Sequence, residues 1–322
     1  MGKYLKEFEL ISQYEEYINS DMAILPNVSL TNDNNIVHYN PKVSKGPNYL
    51  KFTAEEDNST ISLNSKTSSD IKYSLNGGDW TQWDYSAITL NTGDTVCMKG
   101  NNSNGFSKGF STGTRLSNQF KMTGKIGASG NIMSLLYEDD FEGKLTIPCN
   151  YCFYQMFIRC TALTTAPYLP ATTLTNGCYS DMFYGCDSLT TAPELPATTL
   201  ANSCYNGMFY GCRSLTNAPE LPATTLANSC YSDMFSDCTA LTTTPERPAT
   251  TLTDDCYYGM FSCCTNLNYI KMLATDISAN GCLENWVTGV SSTGTFVKHP
   301  NMTSLPTGDC GIPTGWTVQD VA

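Results

Sequence analysis

The sequence predicts a mixed α+β to all-β chain in consecutive modules: a small N-terminal module, a β-sandwich and a solenoid of 26-residue repeats. Three observations predict it. Cys152, Cys178, Cys204, Cys230, Cys256 and Cys282 recur at one 26-residue interval, and Cys160, Cys186, Cys212, Cys238 and Cys264 recur at the same interval. The stretch before them alternates apolar and polar residues between turn signals. The leading segment is too poor in apolar residues to carry a core alone. A fixed period of this size marks stacked supersecondary units, each burying its apolar face only against its neighbours. The expected boundaries are 1–45, 46–122, 123–282 and a cap at 283–322.

In residues 1–45, Ser12 and Glu15 form an S-x-x-E capping box, which predicts a short helix over 13–18. Residues 23–30 and 36–39 read as extended pieces around Asn32-Asp33-Asn34-Asn35. So small a module rarely holds itself together, so it either packs on the next domain or docks onto a larger assembly.

Residues 46–122 read as a small sandwich of Ig-like type. Ile71, Tyr73 and Leu75 share one face before Asn76-Gly77-Gly78, and Ile88/Leu90 and Val96/Met98 flank Asn91-Thr92-Gly93-Asp94. Trp80 and Trp83 lie just beyond the first turn and are candidates for stacking on a sugar, with hairpin core as the alternative. Residues 132–137 read as a strand leading into the repeats, followed by a solvated acidic loop at Glu138, Asp139, Asp140 and Glu142.

Within each repeat, Cys178, Met182, Phe183 and Cys186 stand at spacings compatible with a helical turn, and Leu189 follows in a short extended piece. Ala192-Pro193-Glu194-Leu195-Pro196 must be an extended turn, because its prolines remove donors and fix φ. The last unit exchanges this turn for Tyr269-Ile270-Lys271-Met272-Leu273, and Trp286, Phe296, Val297 and Trp316 are expected to close the end. The chain carries 15 cysteines. A helical C-x7-C segment would hold its cysteines about 12 Å apart, beyond the ~7 Å reach of a disulfide. Buried thiols are the preferred reading, with disulfides and metal as the alternatives; Cys149/Cys152 lacks a second C-x2-C to complete a zinc set.

A net charge of -12 and a pI near 4.5 argue against nucleic acid or anionic lipid as a partner. The first twenty residues hold Lys3, Lys6, Glu7, Glu9, Glu15 and Glu16, which predicts no signal peptide, and no apolar run approaches a membrane span. No lysine occurs from Cys149 to Cys264, so the repeat surface is polar and mostly uncharged, suited to glycans or protein faces. No nucleophile with a base, phosphate loop or metal cluster stands out, so neither an enzyme nor a cofactor is expected.

The motif Met-Phe-x-Gly-Cys-x-Ser-Leu at Met182 to Leu189 and again at Met208 to Leu215 resembles BspA-like leucine-rich repeats over about residues 125–320. That resemblance implies a leucine-rich-repeat solenoid used in adhesion and recognition. The chain departs from it in the expected absence of an export signal and in its prolines. The segment from Tyr4-Leu5-Lys6 through Leu25-Pro26-Asn27-Val28-Ser29 to Tyr39-Asn40-Pro41 is similar to the leading segment of structural proteins of tailed phages of gut bacteria. It implies a fibre or decoration protein joined to other virion proteins through residues 1–45 and released by lysis. The rival expectation is a bacterial surface adhesin exported by another route.

Residues 178–203 and 204–229 differ only at Ser180/Asn206, Asp181/Gly207, Asp187/Arg213 and Thr191/Asn217. One edge therefore varies while the core is copied. Tyr154, Gln155, Asp181, Asn206, Asp233 and Tyr258 are the candidate recognition surface for a host protein or glycan, against drift at solvent positions. Glu194, Glu220 and Glu246 form a second, solvated stripe. A homo-oligomer is also compatible with the sequence.

Overall fold

The computed structural model describes residues 29–32, 35–38, 48–65, 69–107, 109–111 and 114–321. The chain divides into two units, Met1–Gly46 and Pro47–Ala322. In the first, β1 (Ser29–Asn32) pairs antiparallel with β2 (Asn35–His38), Leu30 opposite Val37. The helix expected over 13–18 lies outside the described residues.

In the second unit, strands form where alternation is longest. Both β3 (Leu50–Ala54) and β4 (Ser59–Asn64) bury every second side chain, the period-two signature of one face turned to a core. β5 (Lys72–Leu75), β6 (Thr81–Gln82), β7 (Ile88–Leu90), β8 (Thr95–Lys99), β11 (Gln119–Thr123) and β12 (Ile126–Ser129) complete two sheets, with a separate hairpin of β9 (Gly109–Ser111) and β10 (Thr114–Leu116). One sheet has the order β11-β4-β7. The other is β13-β12-β3-β8-β5-β6, where β13 (Leu163–Thr165) belongs to the first repeat and joins β12 in parallel. Phe52 on β3 meets Phe120 on β11 at 5.2 Å between ring centroids, across the two sheets. The repeats thus grow directly from a sandwich edge.

Two strand expectations shift locally. Residue 75 turns outward: Leu75 is 40% exposed while Ser74 is buried and its hydroxyl donates to the Gly78 carbonyl at 2.6 Å. Residues 132–137 do not extend but coil into α1 (Ser134–Tyr137), begun by the Met133 amide donating to the Asn131 side chain at 2.9 Å. A continuous apolar run buried on all sides gives no periodicity to choose between strand and helix. The acidic loop after it is ion-paired. Lys99, itself buried, holds Asp139 at 2.8 Å, and Lys72 holds Glu138 at 2.7 Å.

The repeats stack, but not as the expected mixed α+β architecture with a leucine-rich-repeat solenoid. Among the described residues the regular elements are nearly all strands, in five small sheets, α1 is the only helix, turns make up most of the repeats, and no closed solenoid forms. Two physical causes account for this. In the segment read as helical, left-handed φ recurs every fourth residue, at Gly177, Asp181 and Gly185 and at the matching positions of every other rung, which no α-helix tolerates. Alternate amides leave the rung altogether. Tyr179, Asp181, Phe183 and Gly185 donate to the carbonyls of Cys204, Asn206, Met208 and Tyr210, while Met182, Tyr184 and Cys186 close tight turns within the rung. The second cause is proline. Pro167, Pro193, Pro219 and Pro245 occupy one repeat position and leave isolated parallel bridges such as Thr165 to Thr191 and Thr191 to Asn217. At the next rung that position is Lys271, and a full strand forms: β14 (Tyr269–Met272) pairs in parallel with β15 (Thr295–Lys298), and β15 with β16 (Thr317–Asp320).

Two aromatic ladders run through the interior. Phe157, Phe183, Phe209, Phe235 and Phe261 stack at 5.4–5.8 Å. Phe153, Tyr179, Tyr205, Tyr231 and Tyr257 stack at 5.8–6.0 Å. Both reach Trp286, whose indole N–H donates to the Gly311 carbonyl at 2.9 Å, and Phe296 meets that indole edge-on. Phe209→Ala removes the middle of one ladder with no room for collapse, so unfolding free energy should fall by about 3–5 kcal/mol. Denaturant titration measures it; a loss below about 1 kcal/mol would show that the ladder does not support the stack.

Candidate functional site

The repeat cysteines face inward and are inert by environment. Cys160, Cys186, Cys212, Cys238 and Cys264 donate their thiols to the carbonyls of Phe120, Phe157, Phe183, Phe209 and Phe235 at 2.9–3.2 Å. A cysteine here is a small hydrophobe with one usable donor, which satisfies a carbonyl one rung back. Burial pushes the thiols of Cys160, Cys178, Cys256 and Cys264 up to about 12. No group of three His, Cys, Asp or Glu side chains among the described residues is placed to hold a metal.

The candidate recognition residues are neighbours across rungs but are largely covered: the Gln155 side-chain amide donates to Asp181 Oδ2 at 3.2 Å, and the amides of Asp181 and Asp233 donate to the carbonyls of Asn206 and Tyr258 at 2.8 and 2.7 Å. Tyr154 and Gln155 are buried, because the segment at Ser117 and Gln119 covers the first rung: the Gln119 side-chain amide donates to Gln155 Oε1 at 3.3 Å. Asp181, Asn206, Asp233 and Tyr258 are half-buried. The Asp181 carboxylate lies where a side chain on Gly207 would sit, and Asp233 does the same to Gly259. The difference Asp181/Gly207 is therefore a steric complement between neighbouring rungs rather than free variation in water. Burial raises the Asp233 carboxyl above its ordinary value, against the lowering contribution of the Ser232 hydroxyl.

Of the two tryptophans expected as sugar-stacking candidates, Trp83 offers no open face and Trp80 has its ring partly taken. Trp83 is 3% exposed, stacks on Phe120 and donates its indole N–H to the Ser86 carbonyl at 3.0 Å, so it is core. Trp80 is half-buried with its ring occupied: Lys99 Nζ stands 4.6 Å over it, and Tyr49 packs edge-on at 4.9 Å. Of the glutamate stripe, Glu246 pairs with Lys271.

A different place gathers chemistry. An open groove is lined by Arg159, Thr161, Tyr184, Gly185, Asp187, Tyr210, Gly211 and Arg213. Three successive rungs make it, the second and third through Tyr-Gly-Cys and the first through Arg159 and Thr161. Tyr184 and Tyr210 stack at 4.7 Å with their planes 3° apart. The other rungs put Ile158, Ser236, Ser262 and Thr288 at the same repeat position. Gly185 and Gly211, at φ 67° and 70°, fill a left-handed position that Arg159 and Asp237 occupy in the rungs before and after. Absence of a side chain on two successive rungs opens the space between those two. Arg213 closes one end, its guanidinium bridging Asp187 at 3.3 Å and Asp237. Arg159 is exposed and has no ion-pair partner among the described residues. The comparison of residues 178–203 with 204–229 exposed Asp187/Arg213 but not the groove; its legible signal is that only these two rungs read Tyr-Gly before the second cysteine.

Comparison with known proteins finds no match among family models, curated proteins or solved structures.

Two outcomes follow for the thiols. In native protein at neutral pH, a thiol reagent should modify the exposed Cys263 and Cys310 rapidly and leave the buried repeat cysteines unmodified until denaturant is added. Rapid modification of all of them would contradict the packing. Unfolded thiols ionise above about pH 9 while the buried ones keep their protons to about 12, so the unfolded state binds fewer protons in that window. Stability should be flat from pH 6 to 8 on this account and fall as pH rises from about 9 to 12, by about 1.4 kcal/mol per thiol per pH unit. Melting temperatures across that range test it; a flat profile would refute it.

Proposed function

We propose that this chain is a non-enzymatic, virion-associated structural protein of a phage, a fibre or decoration component that displays its repeat stack for binding to a host-cell surface or glycan. The observation that carries the reading is a rigid interior copied rung after rung beneath an edge where side chains change. Phe183 and Phe209, Cys186 and Cys212, and Leu189 and Leu215 are identical and buried, while Asp187 and Arg213 differ on the surface. Such a body projects chosen groups at fixed spacing and loses little entropy when it binds. The flank between Cys149 and Cys264 has no lysine, so it attracts few non-specific anionic partners. The motif resemblance to BspA-like repeats and the phage-like leading segment support adhesion and virion attachment respectively. Residues 1–46 are a unit of their own, which fits attachment through the N-terminus.

Mass spectrometry of purified virions should find the chain at a fixed copy number. Deleting residues 1–45 should leave soluble, folded repeats that no longer join particles. Normal incorporation of the truncated chain, or recovery of the intact chain in host envelope fractions and not in virions, would overturn the proposal.

A further inference from the structure

The exposed cations of the repeat stretch converge on one place. Between Cys149 and Cys264 the only cationic side chains are Arg159, Arg213 and Arg247. Arg247 is 1% exposed and directs its guanidinium inward, to Thr244 Oγ1 at 2.9 Å and the Lys271 carbonyl at 2.6 Å. The other two line the groove made by Tyr184, Gly185, Tyr210 and Gly211. Elsewhere the chain is acidic, with a net charge of -12.

The two arginines have different work. Arg213 is neutralised by Asp187 and Asp237, which fix its position as a wall. Arg159 has no carboxylate of this chain within salt-bridge distance among the described residues. A guanidinium without a partner, at the mouth of a groove, is a bidentate donor matched to a carboxylate. The stacked tyrosines supply aromatic surface to the groove, which suits the apolar C–H face of a polyhydroxylated ring, while the Tyr210 hydroxyl is engaged by Ser236 of the next rung. The groove holds about 310 Å³, at the low end of the about 300–1,000 Å³ of small-molecule sites, which suits one or two sugar residues and no larger rigid ligand. A phosphate would bring a second negative charge towards Asp187, whereas a single carboxylate can sit at Arg159 and leave the ring to the tyrosines.

We infer that the groove at Arg159, Tyr184, Tyr210 and Arg213 binds a carboxylated sugar residue of a surface glycan, its carboxylate on Arg159 and its ring against the tyrosine pair. This rests on the reading of the repeat stack as a surface-binding element and names the ligand class and the place. Gly185 and Gly211 are then specificity elements. The Cβ of a side chain at 185 would stand 3.4 Å from Arg159 Cγ, and its outer atoms would enter the space the sugar needs.

The test uses the full chain against a panel of oligosaccharides ending in uronic or sialic acid, each paired with its methyl ester and a neutral counterpart. The acidic forms should bind, and esterification should weaken binding about 10- to 100-fold, the worth of one charge-assisted hydrogen-bonded pair. Three variants follow the substitutions that other rungs already carry, so the stack is preserved. Arg159→Asp installs the residue found at Asp237 and should abolish binding. Tyr184→Ser and Tyr210→Ser install the residue found at Ser236 and should each weaken it. Arg159→Lys should recover part of the affinity lost in Arg159→Asp. Equal binding of acid and ester, or unchanged binding by Arg159→Asp, overturns the carboxylate assignment. If neutral glycans bind and these variants leave that binding intact, the surface-binding reading stands and this site falls. Binding to none of the glycans and to no host cell overturns both.

Discussion

The paired aromatic ladders are the constraint on which the rest of this structure depends. Each ring needs a flat neighbour on both sides, and each supplies one to the next rung, so no rung is stable alone. The sandwich solves the problem at the start: Phe120 stacks on Phe157 at 5.4 Å, and Phe106 meets Phe153 at 6.3 Å, so both ladders are seeded by side chains of the sandwich, with which the repeats share one continuous core. Trp286 solves it at the end, where one large indole covers both columns. Between these ends, amides donated forward at 2.6–3.1 Å set the distance between rungs, and thiols donated backward to phenylalanine carbonyls fill the gap behind each ring. Polar and aromatic contacts thus fix the same repeat distance.

How much of this was legible in the sequence depends on whether a residue speaks for its own rung or for a neighbour. The buried phenylalanines, leucines and cysteines were readable because their period is their role. The helical reading of Cys178 to Cys186 failed because spacings of 4, 1 and 3 fit a helix and a train of left-handed turns equally well, and only the glycines at 177 and 185 hinted at the second. The strand at Lys72–Leu75 formed, but the inward face expected for Leu75 did not, since the turn hydrogen bond of Ser74 outweighed alternation, and the strand expected at residues 132–137 failed where uniform burial erased the period. The proline position was read correctly as non-helical, yet its effect on sheet formation is visible only by contrast with Lys271.

The candidate sites show the same division. Trp83 and Tyr154 looked available because nothing in their local sequence says what covers them; Phe120 covers one and residues distant in sequence cover the other. Asp181 and Gly207 looked like independent variation but are two halves of one contact across rungs. The groove at Arg159 and Arg213 was hidden for a related reason. Its members lie up to 54 residues apart and become neighbours only because the rungs stack. Arg247 marks a further departure. Where earlier rungs bury Leu195 and Leu221, it buries a guanidinium 5.3 Å from Phe261 and 5.9 Å from Trp286, its pKa lowered to about 10 by burial, at the boundary where isolated bridges give way to β14. A charge held against aromatic faces without an ion-pair partner distinguishes this rung from the interior ones.

The interchangeability of the interior rungs has a genetic consequence. Because Asp181 and Asp233 alternate with Gly207 and Gly259, each aspartate lying where the next rung's glycine leaves room, an in-frame duplication or loss of a two-rung unit leaves both the sandwich seed and the tryptophan lid with partners they already fit. Unequal recombination between such near-identical segments can therefore lengthen or shorten the body in two-rung steps, which keep each aspartate against a glycine, and can shuffle surface residues between rungs. The same copying that makes the interior monotonous makes the exterior cheap to remodel.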